Sequence, residues 1–146
     1  VLDRIHTEYR KRIKKPMLHE DLPKGVEESL DQLRSNYSHR IVESICRYID
    51  ERYSEDITLE NVSKKFCFSP THICKLFSAN LHTSMFSYLR KRRMDKAKAL
   101  LRETSYKVYE ISRMVGYGNE KYFTRVVKSN EGVSPMDYRI LHTSKS

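Results

Sequence analysis

The chain has 146 residues, enough for one domain or for a small domain with a helical extension, and it carries a formal net charge of +9. Its three cysteines have no framework spacing and it has no apolar run of about 18 residues, so the composition favours a cytoplasmic protein over a secreted or membrane-spanning one. Residues 40–139 hold 19 basic and 12 acidic residues, and such an excess is typical of proteins that bind polyanions.

The first 39 residues are predicted to form a helical extension and a linker. Apolar residues recur at helical spacing from Val1 to Lys15, and Pro16 ends that pattern. Residues 17–25 contain a proline and a glycine and are typical of a linker, after which a helical pattern resumes at Val26. We therefore expect a domain boundary in this region and a helical domain over residues 40–142.

A helix with one apolar face is predicted before residue 57, and two short helices follow it. Thr58 is a good N-cap for the first short helix, and Ser69 followed by Pro70 predicts the start of the second. The apolar positions of the three helices are Ile41, Ile45, Tyr48, Ile49, Leu59, Val62, Phe66, Ile73, Leu76 and Phe77. Two short helices joined by a tight turn predict a helix-turn-helix motif at about residues 57–80.

A longer helix is predicted from about residue 84 to residue 103. Its apolar positions are Phe86, Leu89, Ala97, Leu100 and Leu101. Six basic residues lie between Arg90 and Lys98. We expect one face of this helix to pack on the core and the other to be cationic.

The pattern of the first motif returns about fifty residues later, and this repeat predicts a second helix-turn-helix motif at about residues 107–130. Lys107–Val115 repeats Thr58–Phe66, and small residues recur at Ser63 and Ser112, where the two helices of a motif cross closely. Gly116 fits the left-handed end of a helix. Inward positions of the second copy are Phe123 and Val127, and Gly132, Ser134 and Pro135 then predict a stop, a cap and a helix start.

The residues that face outward in the two copies are short polar and long cationic side chains. They include Thr71, His72 and Lys75 in the first copy and Lys121, Thr124 and Arg125 in the second. Helical hairpins that serve only stability would leave these positions free to be neutral or acidic. Side chains of these types form hydrogen bonds with base edges and phosphates, so the pattern favours nucleic-acid binding.

With these residues in place, residues 41–140 resemble the DNA-binding domain of the AraC/XylS family of bacterial transcription regulators. The first motif matches the family at Leu59, Val62-Ser63, Ser69-Pro70, Leu76-Phe77 and Tyr88-Leu89, and the connecting helix matches at Arg93, Ala97 and Leu100-Leu101. The second motif matches at Ile111-Ser112, Val115-Gly116-Tyr117, Lys121-Tyr122-Phe123-Thr124-Arg125, Gly132, Ser134-Pro135 and Tyr138-Arg139.

The resemblance implies an all-α fold of seven helices, in which a central linker helix joins two helix-turn-helix subdomains. It also implies sequence-specific binding of double-stranded DNA, with the second helix of each motif in adjacent major-groove segments. Residues 1–39 would then be the N-terminal helical extension. Because the chain starts at Val1, we expect it to be part of a longer protein whose upstream domain is a sensor or, from the Tyr48–Asp56 stretch, a phosphoryl receiver.

Carried over by position, the resemblance implies which side chains contact DNA. The base-edge readers would be Thr71, Cys74, Lys75, Glu120, Lys121 and Arg125. Residues that contact phosphate or support the readers would be Ser69, His72, Arg90, Arg93, Thr124 and Lys128. RNA polymerase is an expected partner, and no cofactor or metal is implied.

Several positions depart from the family pattern. His82 stands where the first copy usually has glycine, so that helix end must use a strained residue or a different turn. Ser78 and Ala79 replace lysines that are common in the family, which removes phosphate contacts from the first motif. The remaining departures are Ser63, Ser112 and Val127.

Other functions find less support in the sequence. A phosphate loop, a nucleophile elbow and paired carboxylates are absent, so an enzyme is not expected. Cys67, His72 and Cys74 match no common zinc spacing. Tyr48, Tyr88, Tyr122 and Tyr138 fit core positions, which argues against an aromatic platform for RNA. The main alternative is a helical protein-interaction module of a signalling protein.

Overall fold

The computed structural model describes residues 24–143, and the side chains from Gly25 onward. This part of the chain contains seven α-helices and no β-strand, which confirms the all-α prediction. The helices are α1 (Lys24–Arg52), α2 (Leu59–Phe66), α3 (Pro70–Leu81), α4 (Met85–Glu103), α5 (Val108–Met114), α6 (Glu120–Glu131) and α7 (Pro135–Thr143). The predicted helix at residues 1–15 and nearly all of the predicted linker lie outside the described residues.

Four helices begin at a side chain whose oxygen accepts a hydrogen bond from the backbone amide three residues later. Thr58 accepts from the amide of Asn61 at 3.1 Å, and Ser69 accepts from that of His72 at 3.1 Å. The other two caps are Asn119, which accepts from Tyr122 at 3.1 Å, and Ser134, which accepts from Asp137 at 3.2 Å. Since the first amides of a helix have no partner within it, these oxygens fix where each helix starts. The caps predicted at Thr58, Ser69 and Ser134 are confirmed.

Helix α1 is longer than the sequence pattern suggests. It begins at Lys24 rather than at Val26, and it continues to Arg52. The boundary predicted at residues 39/40 therefore falls within a continuous helix, and no break in secondary structure marks it. Buried residues are concentrated toward its C-terminal end, at Ile41, Val42, Ile45 and Ile49.

The described residues form two compact units, each with its own buried side chains. The first unit contains residues 24–48 and Thr58–Met85, and the second contains Ile49–Ile57 and residues 86–143. Buried apolar residues of the first unit include Ile45, Val62, Phe66, Phe68, Ile73, Leu76, Phe77 and Met85. One apolar cluster in the second unit consists of Met94, Ala97, Leu101, Ile111, Val115, Tyr117, Phe123, Val127 and Tyr138. The inward positions predicted from the repeat, Ile73 and Phe77 with Phe123 and Val127, are thus confirmed.

Two aromatic residues that the sequence placed in the core are exposed. Phe86 is 48% exposed, whereas its neighbour Met85 is only 2% exposed. Met85 is four residues before the buried Leu89 and shares its face, while Phe86 is rotated away by about 100°. Tyr122 is 51% exposed, because Phe123 and Val127 occupy the buried face of α6. The prediction that Tyr122 lies in the core is therefore wrong.

Candidate nucleic-acid interface

The first helix-turn-helix motif consists of α2 and α3, joined by a turn at residues 67–69. Cys67 ends α2 in the left-handed region with φ of 59°. The hydroxyl of Ser63 donates a hydrogen bond to the carbonyl oxygen of Phe68 and ties α2 to the far side of the turn. Position 63 therefore holds a hydrogen-bond donor as well as a small side chain, and spacing alone does not reveal this contact.

The outward face of α3 carries the first set of predicted base readers. Thr71, Cys74 and Lys75 are all exposed on this helix. His72 is half-buried and packs edge-on against Phe68, with ring centroids 4.9 Å apart. Ser69 caps the start of the helix. The three predicted readers are thus exposed on the same helix, whose start is supported by contacts of Ser69 and His72.

The second motif consists of α5 and α6, and its turn repeats the geometry of the first. The Ser112 hydroxyl, which is almost fully buried, donates to the carbonyl oxygen of Tyr117 at 2.8 Å. Gly116 follows α5 with φ of 97°, which confirms the left-handed position predicted there. A Cβ atom at Gly116 would lie 2.9 Å from both the Arg93 Nε and the Tyr53 carbonyl oxygen. Glycine is needed here for space as well as for backbone conformation.

The outward face of α6 carries the second set of predicted readers. Glu120, Lys121 and Arg125 are exposed, as is Lys128, and Thr124 is half-buried. Within residues 25–143, the structure gives the side chains of Lys121, Arg125 and Lys128 no salt-bridge or hydrogen-bond partner. These three cations therefore have their full charge available to a ligand.

An open groove of about 770 Å³ lies beside the start of α6 in the second unit. It is lined by Phe86, Leu89, Arg90, Arg93, Gly116, Tyr117, Gly118, Asn119, Tyr122 and Arg125. Arg90 is exposed, and the two half-exposed aromatic rings of Phe86 and Tyr122 lie along the same groove. The guanidinium groups of arginines that line a concave surface are suited to donate hydrogen bonds to phosphate oxygens.

Arg93 occupies this groove in a different way from Arg90. Its Nε donates to the carbonyl oxygen of Tyr53 at 2.7 Å, and its Nη2 donates to that of Glu55 at 2.9 Å. The guanidinium also lies 5.3 Å from the centre of the Tyr117 ring. Of the two roles predicted for Arg93, phosphate contact or support, this geometry favours support of the turn that precedes α6.

Two further cations of α4 are engaged within the second unit. Arg92 donates to the Tyr88 hydroxyl and pairs with Asp50 at 2.8 Å, and the bond to Tyr88 raises the pKa of Arg92. Lys98 pairs with Glu131 at 3.0 Å, and that hydrogen bond raises the pKa of Lys98. In the sequence these residues are recognisable only as part of a cationic face, because ion pairs between distant residues leave no local signal.

Among the described residues, no group of three or more His, Cys, Asp and Glu side chains is placed to hold a metal ion. None of the described helices combines the length and the apolar character that crossing a bilayer requires.

Comparison with known proteins gives consistent matches. Residues 62–140 match a family described as a helix-turn-helix domain. The chain is 39% identical over 99 residues to the uncharacterized HTH-type transcriptional regulator YdiP of Escherichia coli strain K12, covering 68% of this chain and 33% of YdiP. It is 29% identical over 124 residues to the arabinose operon regulatory protein of the same strain, covering 84% of this chain and 42% of that protein. The chain thus spans less than half the length of these curated relatives.

A solved structure agrees with these relatives. The C-terminal domain of AraT, a response regulator from Geobacillus stearothermophilus, is 36% identical and aligns with a TM-score of 0.68, covering 69% of this chain and 84% of that one. The proteins matched in sequence are named as regulators of transcription, not as enzymes.

Proposed function

The chain belongs to the AraC/XylS family of bacterial DNA-binding transcription regulators, and we propose that α3 and α6 are its two recognition helices. Each helix is the second of a helix-turn-helix motif, and each would enter the major groove of double-stranded DNA at adjacent segments. The protein would act in the cytoplasm as part of a longer regulator with an upstream sensor or receiver domain.

The observation that carries this proposal is the outward face of α6. Lys121, Arg125 and Lys128 are exposed cations without partners among the described residues, and they share one face because they are spaced by four and three residues. Three like charges on one face that form no salt bridge repel one another in the free protein, and a bound polyanion would offset this repulsion.

The roles of individual residues follow from their chemistry. The Arg125 guanidinium can donate two hydrogen bonds to a guanine, and Lys75 can donate to a base or a phosphate. Glu120 can accept from cytosine N4, and Thr71 and Cys74 are short enough to lie against base edges. We assign phosphate contacts to Arg90, Thr124 and Lys128, and we assign Arg93, Ser69 and His72 to the support of the helices.

A protein partner has one observation in its favour. Met136, Ile140 and Leu141 on α7 are each more than half exposed. Such residues are the kind that a protein partner covers, and RNA polymerase is the partner we propose for a regulator of this family. This contact would accompany DNA binding and would not replace it.

Selection of bound sites from a random duplex library tests the proposal. We expect two short preferred blocks about one helical turn apart, and binding that weakens steeply with salt. A protein-interaction module would enrich no sequence and would bind its partner with little dependence on salt.

Two arginine variants then separate base readout from backbone contact. Arg125→Ala should cost about 1–3 kcal/mol on the selected site and relax the preference at one base pair. Arg90→Ala should weaken binding to all sequences alike and reduce the salt slope by about one. Equal losses on selected and random duplexes for both variants would contradict the assigned roles.

A further inference from the structure

We infer that the two recognition helices contribute unequally to DNA binding: α6 supplies most of the electrostatic attraction, and α3 discriminates mainly through neutral side chains. This inference rests on the proposed function and goes beyond it, because family membership does not rank the two motifs of this chain.

Position-by-position comparison of the two helices carries the inference. The N-caps Ser69 and Asn119 correspond, so residues of α3 match residues of α6 fifty positions later. The charged face of α6 consists of Lys121, Arg125 and Lys128, and its counterparts in α3 are Thr71, Lys75 and Ser78. All six residues are exposed. The same face therefore carries three cations in α6 and one in α3.

Nearby charges do not reverse this difference. In the first motif, Lys64 of α2 pairs with Glu60 at 3.1 Å, and the Lys65 ammonium lies 5.7 Å from the centre of the Tyr48 ring. In the second motif, the acidic Glu131 at the end of α6 pairs with Lys98. Glu120 remains as one exposed acidic residue, at the helix start where the dipole favours it.

The groove beside α6 adds to its share of positive charge. Arg90 lines this groove together with Arg125, and among the described residues it has no salt-bridge or hydrogen-bond partner. Arg90 thus adds a fourth cation without a salt bridge to the second motif, whereas the first motif has Lys75 on α3 and Lys65 on α2.

The difference predicts how binding depends on salt. Each phosphate neutralised by a cation adds about 0.9 to the slope of log K against log salt. A long cationic side chain that reaches a base edge also lies near the adjacent phosphates, so Lys121, Arg125 and Lys128 together would account for a slope of up to about 2.7, and Lys75 for up to about 0.9. The α6 half-site should therefore hold the domain on DNA at low salt, whereas occupancy of the α3 half-site should depend mainly on its sequence.

Matched exchanges between the two helices test the inference. Lys121→Thr with Lys128→Ser gives α6 the residues of α3, and Lys75→Ala removes the single cation of α3. Both variants change only exposed side chains, and thermal unfolding followed by circular dichroism checks that they fold. Binding to the selected duplex is measured by fluorescence anisotropy at several salt concentrations.

We expect the double variant to reduce the slope by about 1.8, twice the reduction caused by Lys75→Ala. Between about 50 and 200 mM salt, its affinity should then fall about tenfold less than that of the wild type. The reverse exchange, Thr71→Lys with Ser78→Lys, should steepen the slope by a similar amount.

The outcomes separate this inference from the proposed function. In one outcome the wild type depends steeply on salt, but Lys75→Ala changes the slope as much as the double variant or more. This outcome overturns the unequal contribution of α6 and α3 and leaves the proposed DNA binding intact. Wild-type binding that is weak and indifferent to salt and sequence overturns both.

Discussion

The two helix-turn-helix motifs place a positive φ at the same two positions, but they fill those positions with different residues. The first motif has Cys67 at φ of 59° and His82 at 54°, and the second has Gly116 at 97° and Gly132 at 78°. A residue with a Cβ atom is strained in this region and glycine is not, so the first motif carries backbone strain that the second avoids.

The two glycines of the second motif are needed for different reasons. A Cβ at Gly132 would meet nothing within 4 Å, whereas one at Gly116 would meet Arg93 and the Tyr53 backbone at 2.9 Å. Backbone conformation alone restricts position 132, and packing restricts position 116 as well. The comparison teaches that the left-handed turn tolerates a side chain where space is open and excludes one where another segment covers the turn.

The largest expected effect comes from Gly116→Ala. The added methyl group strains the backbone and pushes against Arg93 and a fixed carbonyl, and we expect a loss of about 3 kcal/mol in the free energy of unfolding. Urea unfolding followed by circular dichroism measures it. Gly118→Ala in the same turn is the control, because its Cβ would meet nothing within 4 Å. Similar losses in both variants would show that space at position 116 is not the cause.

The serine hydroxyl that spans the turn should contribute more to stability in the second motif than in the first. Ser112→Ala leaves the Tyr117 carbonyl without its donor in a buried site, and we expect a loss of about 1–2 kcal/mol. Ser63→Ala should cost less, about 0.5–1 kcal/mol, because its site is only partly buried and water can replace the hydroxyl. Thermal unfolding of the two variants side by side gives the comparison. A larger loss for Ser63→Ala would contradict the idea that the second turn is the more tightly packed one.

His82→Gly should stabilise the protein by about 1 kcal/mol, because glycine adopts the left-handed region without strain. The reciprocal variant Gly132→Ala, at the matching position of the second motif, should destabilise it by a similar amount. Both are measured as shifts of the urea midpoint at constant slope. If His82→Gly were destabilising, contacts of the imidazole would outweigh the backbone strain.

The smallest expected effect is a loss of stability at alkaline pH through the phenol of Tyr117. Burial raises the pKa of the Tyr117 phenol above its ordinary value of 10.0, against the opposing influence of Arg93. The neutral Tyr117 phenol therefore contributes to the free energy of unfolding, and this contribution is complete below about pH 10. It is lost as the pH rises further, because the unfolded chain releases the phenol proton more readily than the folded chain does. Tyr117→Phe should therefore lose less stability than the wild type between about pH 9 and 11. Parallel decline of both proteins would exclude a contribution from Tyr117.

Features that depend on local chemistry could be predicted from the sequence. The caps at Thr58, Ser69 and Ser134 and the left-handed Gly116 and Gly132 each follow from a few neighbouring residues. The internal repeat strengthened these predictions, because the same inward positions in two copies indicate the same motif in both. The assignment of individual base readers remains a prediction.

Features that depend on distant residues could not be predicted. The carbonyl oxygens that Arg93 contacts are about forty residues earlier in the chain. The bond from Ser112 to Tyr117 spans only five residues, but it depends on the tertiary closure of the turn. The sequence pattern selected Phe86 as an inward position of α4, but Met85 is the buried residue, because packing against other segments decides which of two adjacent apolar residues faces inward.

The uneven burial of α1 has a consequence for how the molecule melts. Val26 and Leu33 are 42% and 57% exposed, while Ile45 and Ile49 are fully buried. Isolated helices of about 12–15 residues are marginal in water, so the N-terminal half of α1 should fray as the temperature rises while the buried half remains folded. The helical signal at 222 nm should then decline gradually before the cooperative transition, and this early loss would report fraying of one helix end without unfolding of either motif.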